Sequence, residues 1–320
     1  MGTLVGHLAP GIVLLVSGLW QLFGHIRLFL LRPSSYAAPV WFPVRGVRHL
    51  DLIWLIIAAV IEILWELVIV PAKHQSFDDD GIIPSVYLYH FEHTTISLAM
   101  LIFAAVTISM DMVVRRPPPM SDAVSRLVAA SWFAQELLLF HFHSADHMSV
   151  EGHFHRLLQT IVAVTLATTL LLIPYPRSIV VSIVRSASLV FQGLWFVVTG
   201  VMLWTPAFVP KGCFLTNEEG RDVIRCRTGE AVHRAKSLVN LQFSWYLSGI
   251  VLFIIVFYFQ MAKWYPEEQR YVPVVKDEDS GGDSDGQFKI GDDLEAGNGE
   301  FGHLIGVTKT IEMTKSNGDW

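Results

Sequence analysis

Cysteine and charge are both scarce in this chain. Two cysteines in 320 residues exclude a small secreted scaffold held by a dense disulfide framework. Asp, Glu, Lys and Arg make up 16% of residues, below the roughly 25% usual in soluble domains. The basic residues are scattered through the segments between apolar runs, not gathered on one stripe, which leaves no footprint for nucleic acid. There is no G-x-S-x-G elbow, no P-loop and no G-x-G-x-x-G after a strand, so the common nucleophile and phosphate-loop chemistries lack their signatures. The H-E-x-x-H zincin spacing is missing too; His90, Glu92 and His93 have the residue types in another order. The first apolar run lacks a basic leader and a small-x-small pattern after Trp20, and so reads as a retained span.

What is present points to a bilayer as solvent. Hydrophobic residues reach 52% and aromatics 12%, with a mean hydropathy of +0.45. Crossing ~30 Å of hydrocarbon at ~1.5 Å per residue takes about 20 residues. Seven apolar segments approach that length, at residues 4–23, 52–70, 87–112, 127–140, 157–173, 186–204 and 238–261. The fold expected is therefore all-α, a seven-transmembrane-helix bundle over residues 1–265. The fourth and fifth segments reach spanning length only if the histidine-rich residues between them are helical.

The net charge of -6 is produced by a tail, because nine acidic residues fall between 277 and 300. Residues 266–320 are too polar to offset their ordering entropy and read as a disordered acidic tail, open to protein partners. With the N-terminus extracytoplasmic and the C-terminus cytoplasmic, twelve Lys and Arg lie on the cytoplasmic side against eight opposite, the sense of the positive-inside rule. That orientation puts Cys213 and Cys226, both in the sixth loop, in an oxidising compartment where a disulfide would persist. Gly11 and Gly18 in the first span, and Gly193 and Gly200 in the sixth, are each seven apart, which predicts small-residue faces for close helix packing. Tryptophans near span ends, such as Trp20, Trp204 and Trp264, suit interfacial belts.

Residues 136–155, ELLLFHFHSADHMSVEGHFH, hold five of the thirteen histidines. Under this topology the extracytoplasmic ends of four spans carry ligand-type residues: Glu62 and Glu66, then His90 and His93, then Glu136, His143 and His147, then His153 and His155. At ~100° per residue Glu62 with Glu66, His90 with His93, and Glu136 with His143 and His147 each share a helix face, whereas His141 and His143 lie ~200° apart and cannot both face inward, and spacing does not decide between His153 and His155. Ionisable groups in a span cost about 2.5–3.5 kcal/mol each, so they face the interior and mark function by default. The primary candidates for a divalent-metal site, zinc first, are Glu66, His93, Glu136, His143 and His155, with Glu62, His90, His147 and His153 secondary. The competing readings are a proton relay or proton-coupled transporter, and a polar network that only locks helices together. The remaining histidines, among them His7, His25 and His49, read as loop, interfacial or packing residues.

Gly6-His7-x-x-Pro10-Gly11 with Gly18-Leu19-Trp20, the Glu62 and Glu66 pair, His93-Thr94-Thr95, Glu136-x(6)-His143 and His153-Phe154-His155-x-Leu157-Leu158 stand in an order that resembles the transmembrane protein 45 family. The likeness covers roughly residues 1–262 and is closer to the plant, viral-response-type members. It implies a multi-pass protein of the endomembrane system (Golgi or endosome) or plasma membrane, with no settled activity. A seven-helix zinc-dependent hydrolase of lipid amides or esters, resembling alkaline ceramidases, is the enzymatic alternative, and would need one metal position left open. The expected partners are the lipid bilayer and a small molecule or lipid in the polar cavity.

Overall fold

The computed structural model describes residues 4–69, 81, 88–113, 120–145, 150–218 and 221–265. Among the described residues seven helices are long and apolar enough to cross a membrane: α1 (Leu4–Leu31), α2 (Leu50–Leu64, continuing as a π-helical turn Trp65–Ile69), α3 (Leu88–Val113), α4 (Ser121–Ala145), α5 (Val150–Leu171), α6 (Ile179–Trp204) and α7 (Gly229–Trp264). The chain is thus a helical protein of the multi-pass membrane type. The acidic tail expected at 266–320 lies outside the described residues.

The helices overrun the apolar segments that announce them. α4 continues through the backbone of His141 and His143 to Ala145, and α5 starts at Val150, ahead of His153 and His155. Without water to satisfy it, backbone near a bilayer stays internally bonded even where the side chains turn polar. α6 begins soon after Pro174 and Pro176, where Ser178 Oγ accepts from Val181 N–H at 3.3 Å. Thr228 Oγ1 caps α7 in the same way, accepting from Ala231 N–H at 3.2 Å.

One departure from the all-α expectation falls in the sixth loop. β1 (Cys213–Glu218) and β2 (Arg221–Cys226) pair antiparallel, with Cys213 opposite Cys226. The two cysteines are joined as a disulfide, 13 residues apart in sequence. Phe214, Thr216, Val223 and Ile224 are strand formers flanked by Pro210 and by Gly212 at φ +89°, a turn chemistry that span length does not register. Ile224 is buried against the helical core, so the hairpin is seated on the bundle.

α6 is the central helix: 72% of its most apolar window is buried, against 11% for α7. α1 packs along α6 through one stripe, His7, Gly11, Leu14, Gly18, Leu22 and His25, spaced three and four apart. A Cβ on Gly18 would come 2.6 Å from Val190 N, and one on Gly200 would come 2.8 Å from His7 Cβ. The paired glycines are therefore the close approach between these helices. Trp195, Phe133, Phe154 and Phe196 fill the centre, and Trp195 Nε1–H donates to Phe154 O at 3.1 Å. Outward faces of α2 and α7 present Ile57, Ile61, Leu241, Trp245, Val256 and Phe259, a surface suited to lipid and not to water.

Candidate functional site

The end of α2 sets the first part of the site. A π turn widens the helix at Trp65–Ile69, a feature that recurs at functional sites. Glu66 in that turn is 8% exposed and reaches two rings on the first two turns of α3. Its Oε2 bonds His90 Nδ1, and its Oε1 bonds His93 Nδ1 at 3.1 Å. His90 and His93 are three apart and so share a face. The Tyr89 ring covers them, with centroids 3.9 and 5.8 Å away. A carboxylate can only accept, so each ring presents Nδ1–H to Glu66.

His93 also lines a cavity of about 40 Å³ enclosed by α1, α2, α3, α4 and α6. Glu62, Ser97, Trp132 and Glu136 give it a polar side, while Pro10, Leu14, Phe140 and Phe196 give it apolar walls. One water needs about 10–15 Å³ of such space, so the cavity has room for a few waters or an ion. Glu136 is 3% exposed. Its Oε1 accepts from Gln192 Nε2 at 2.6 Å, while its Oε2 and the neighbouring Trp132 Nε1 have no hydrogen-bond partner among the described residues. Leaving a buried polar atom unsatisfied costs about 1–3 kcal/mol, more for a charge, so the Glu136 carboxyl calls for a proton, a water or a cation.

Beyond Gln192 a polar line continues between α5 and α6. Thr165 Oγ1 lies 3.5 Å from Gln192 Oε1 and 2.9 Å from Ser188 Oγ. Arg185 Nε donates to Thr169 Oγ1 at 2.9 Å, and its guanidinium also donates to Gln21 Oε1 on α1. Past Arg185, in the segment after α1, Tyr36 bonds His25 Nδ1 at 3.0 Å. Burial pushes the Tyr36 phenol up to about 12, against the opposing pull of Ser182 and Arg126. Polar side chains therefore run from the His/Glu end of the bundle to the opposite end.

The residues named from sequence separate into two places. Glu66, His90 and His93 are in contact, and Glu62, His93 and Glu136 share the cavity. His155 does not join them. It is 1% exposed, donates from Nδ1 to Glu151 O at 3.0 Å, and sets its Nε2 3.5 Å from His7 Nε2. Phe140 and Phe196 both touch this histidine pair and line the cavity. Since α1 lies against α6, the inward face of α5 at 155 meets His7 and not Glu66. His153 turns to Asn240 on α7 at 2.7 Å, and His141 is exposed. The side chain of His143, and all of His147, lie outside the described residues. Among the described residues no group of three or more His, Cys, Asp or Glu is arranged to hold a metal ion, and Glu66, His93, Glu136 and His155 do not assemble as one site.

Among the buried polar residues that the reading by residue type did not single out are His7, Gln192, Thr165 and Arg185. Three carried a usable signal. His7 sits on the Gly11–Leu14–Gly18 stripe, and Arg185, Ser188 and Gln192 form a three-and-four-spaced polar row inside an apolar span.

Residues 122–259 match the model of a family described as "Family of unknown function (DUF716)", which is of the transmembrane protein 45 type. The match takes in α4 to α7 short of its last turns, and so includes Glu136, His155, Gln192 and the disulfide hairpin.

Proposed function

We propose that this protein moves protons through the membrane, with Glu66, His90, His93, Glu62 and Glu136 as the groups that take up and hold them. One observation carries the reading: His93 and Glu136 share one cavity with room for a few waters, and Glu136 is tied through Gln192 to the Thr165–Ser188 line that runs on along α6. A relay needs groups that change protonation near neutral pH, hydroxyl and amide links between them, and seclusion from bulk solvent. The orientation that accompanies this reading puts the His/Glu end and the disulfide hairpin on the extracytoplasmic side of an endomembrane or the plasma membrane. The positive-inside count and the compartment preference of disulfides support it. The acidic segment 266–320 is then a cytoplasmic partner-binding tail. The test is proton flux into proteoliposomes carrying an internal pH dye, with wild type conducting and His93→Gln and Glu136→Gln slowed at least about tenfold, as expected for loss of a positioned proton-transfer group.

A second reading has its own observation. Glu66 bonds His93 through Nδ1, the carboxylate–histidine arrangement that supports metal-bound imidazoles, and Glu136 Oε2 in the shared cavity lacks a partner among the described residues. This reading asks the cavity residues His93, Glu62 and Glu136, which do not stand as a ligand set in the structure, to draw together around a zinc ion. Stoichiometric zinc in the purified protein, lost in His93→Ala, supports this reading; its absence from protein purified without chelator counts against it. The lipid-hydrolase alternative gains nothing from the geometry, because about 40 Å³ falls well short of the roughly 300–1,000 Å³ of ordinary ligand pockets.

A further inference from the structure

We propose that a second cavity, between α1 and α2, binds a neutral single-chain acylglycerol from the bilayer. Its ester carbonyl would lie on Trp20 and Ser17, and its glycerol hydroxyls on Asp51. The cavity measures about 260 Å³ and exists because α1 follows α6 closely while touching α2 only sparsely. Leu52, Leu55 and Phe103 supply an apolar floor, and Val16 and Trp54, 46% and 37% exposed, stand at a mouth that opens sideways toward lipid.

The polar end selects the ligand. Trp20 Nε1–H can only donate, and it and Ser17 Oγ are buried with no hydrogen-bond partner among the described residues, so the occupant must bring an acceptor such as an ester carbonyl. Asp51 accepts one backbone N–H on each oxygen, from Phe42 at 3.0 Å and Leu52 at 2.9 Å. A carboxylate has about four acceptor sites, so two remain for hydroxyl donors. The same carboxylate repels a fatty-acid carboxylate or a phosphodiester headgroup. At about 260 Å³ the cavity falls below the roughly 300 Å³ at which drug-sized pockets begin, which suits one acyl chain better than two.

Equilibrium binding of radiolabelled monoolein to the full-length protein in detergent tests this. The expected result is saturable binding, weakened about tenfold in Trp20→Phe and again in Ser17→Ala, the effect of losing one hydrogen bond each. Leu55→Trp, which fills the cavity, should remove it, while oleate and phosphatidylserine should compete poorly. Non-saturable binding, affinity unchanged in the size-preserving Trp20→Phe and Ser17→Ala variants, or displacement of monoolein by oleate or phosphatidylserine at equal concentration would each overturn the assignment.

Discussion

Gly193→Ala places one methyl group where the main chain of α1 already stands. A Cβ at position 193 would lie 2.3 Å from Leu15 N, 2.6 Å from Gly11 O and 2.8 Å from Leu15 Cα. Ordinary contact begins at 3.4 Å, so α1 must retreat by about 1.1 Å, the difference between 3.4 and 2.3. All three obstructing atoms are backbone, which leaves no rotamer change to relieve them. Shifts of this kind cost about 1–3 kcal/mol, and the crowding places this site at the upper end. Replacing glycine by alanine inside a helix returns at most about 1 kcal/mol. The net loss is then about 2 kcal/mol, close to thirtyfold in the folding equilibrium. Gly249→Ala in α7 is the matched control, because its Cβ would meet nothing within 4 Å. Denaturant titration of both variants in mixed micelles measures the difference, with Gly193→Ala losing stability and Gly249→Ala unchanged or slightly more stable. Equal stability of the two, or a Gly193→Ala protein as stable as wild type, would refute the close α1–α6 contact.

His155→Ala removes a hydrogen-bond partner of His7 in a dry setting and should cost about 1–3 kcal/mol in stability while leaving proton flux unchanged, since the pair lies apart from the cavity. A fall in flux without a fall in stability would restore His155 to the site. Cys213→Ser opens a loop whose ends are 13 residues apart, and loops near that size lose about 3 kcal/mol. It should abolish the mobility shift seen on reduction and expose the hairpin to protease. Tyr36 gives a pH dependence: its phenol is raised from 10.0 to about 12, so the folded state favours the neutral form. Stability is then full below pH 10 and falls as pH rises through about 12. Melting temperature against pH should show a shallower alkaline decline in Tyr36→Phe, and identical slopes would remove Tyr36 as the cause.

The seven spans were legible because a bilayer imposes one length on every crossing helix, and the glycine pairs were legible because a spacing of seven keeps one face. Periodicity correctly grouped His90 with His93 and set His141 outward. It could not place Glu66 exactly opposite them, since the π turn at Trp65–Ile69 changes the rotation a regular helix would give. Nor could it say which neighbour an inward face meets. His155 fell to His7 because α1 and α6, five helices apart in order, pack side by side. The hairpin between Cys213 and Cys226 escaped because alternating short strands leave no trace in a search for long apolar runs.

The central claim rests on Glu136, and a single comparison addresses it. Wild-type protein and Glu136→Gln, reconstituted at equal density in liposomes with a pyranine interior and a valinomycin-clamped potassium gradient, are followed by dye fluorescence after the potential is applied. Glutamine keeps the size and the Gln192 contact but cannot carry a proton. The account predicts interior acidification by wild type at least about tenfold faster than by Glu136→Gln, whose rate should match protein-free liposomes. Equal rates for wild type and Glu136→Gln, or a wild-type rate no faster than bare lipid, would contradict it.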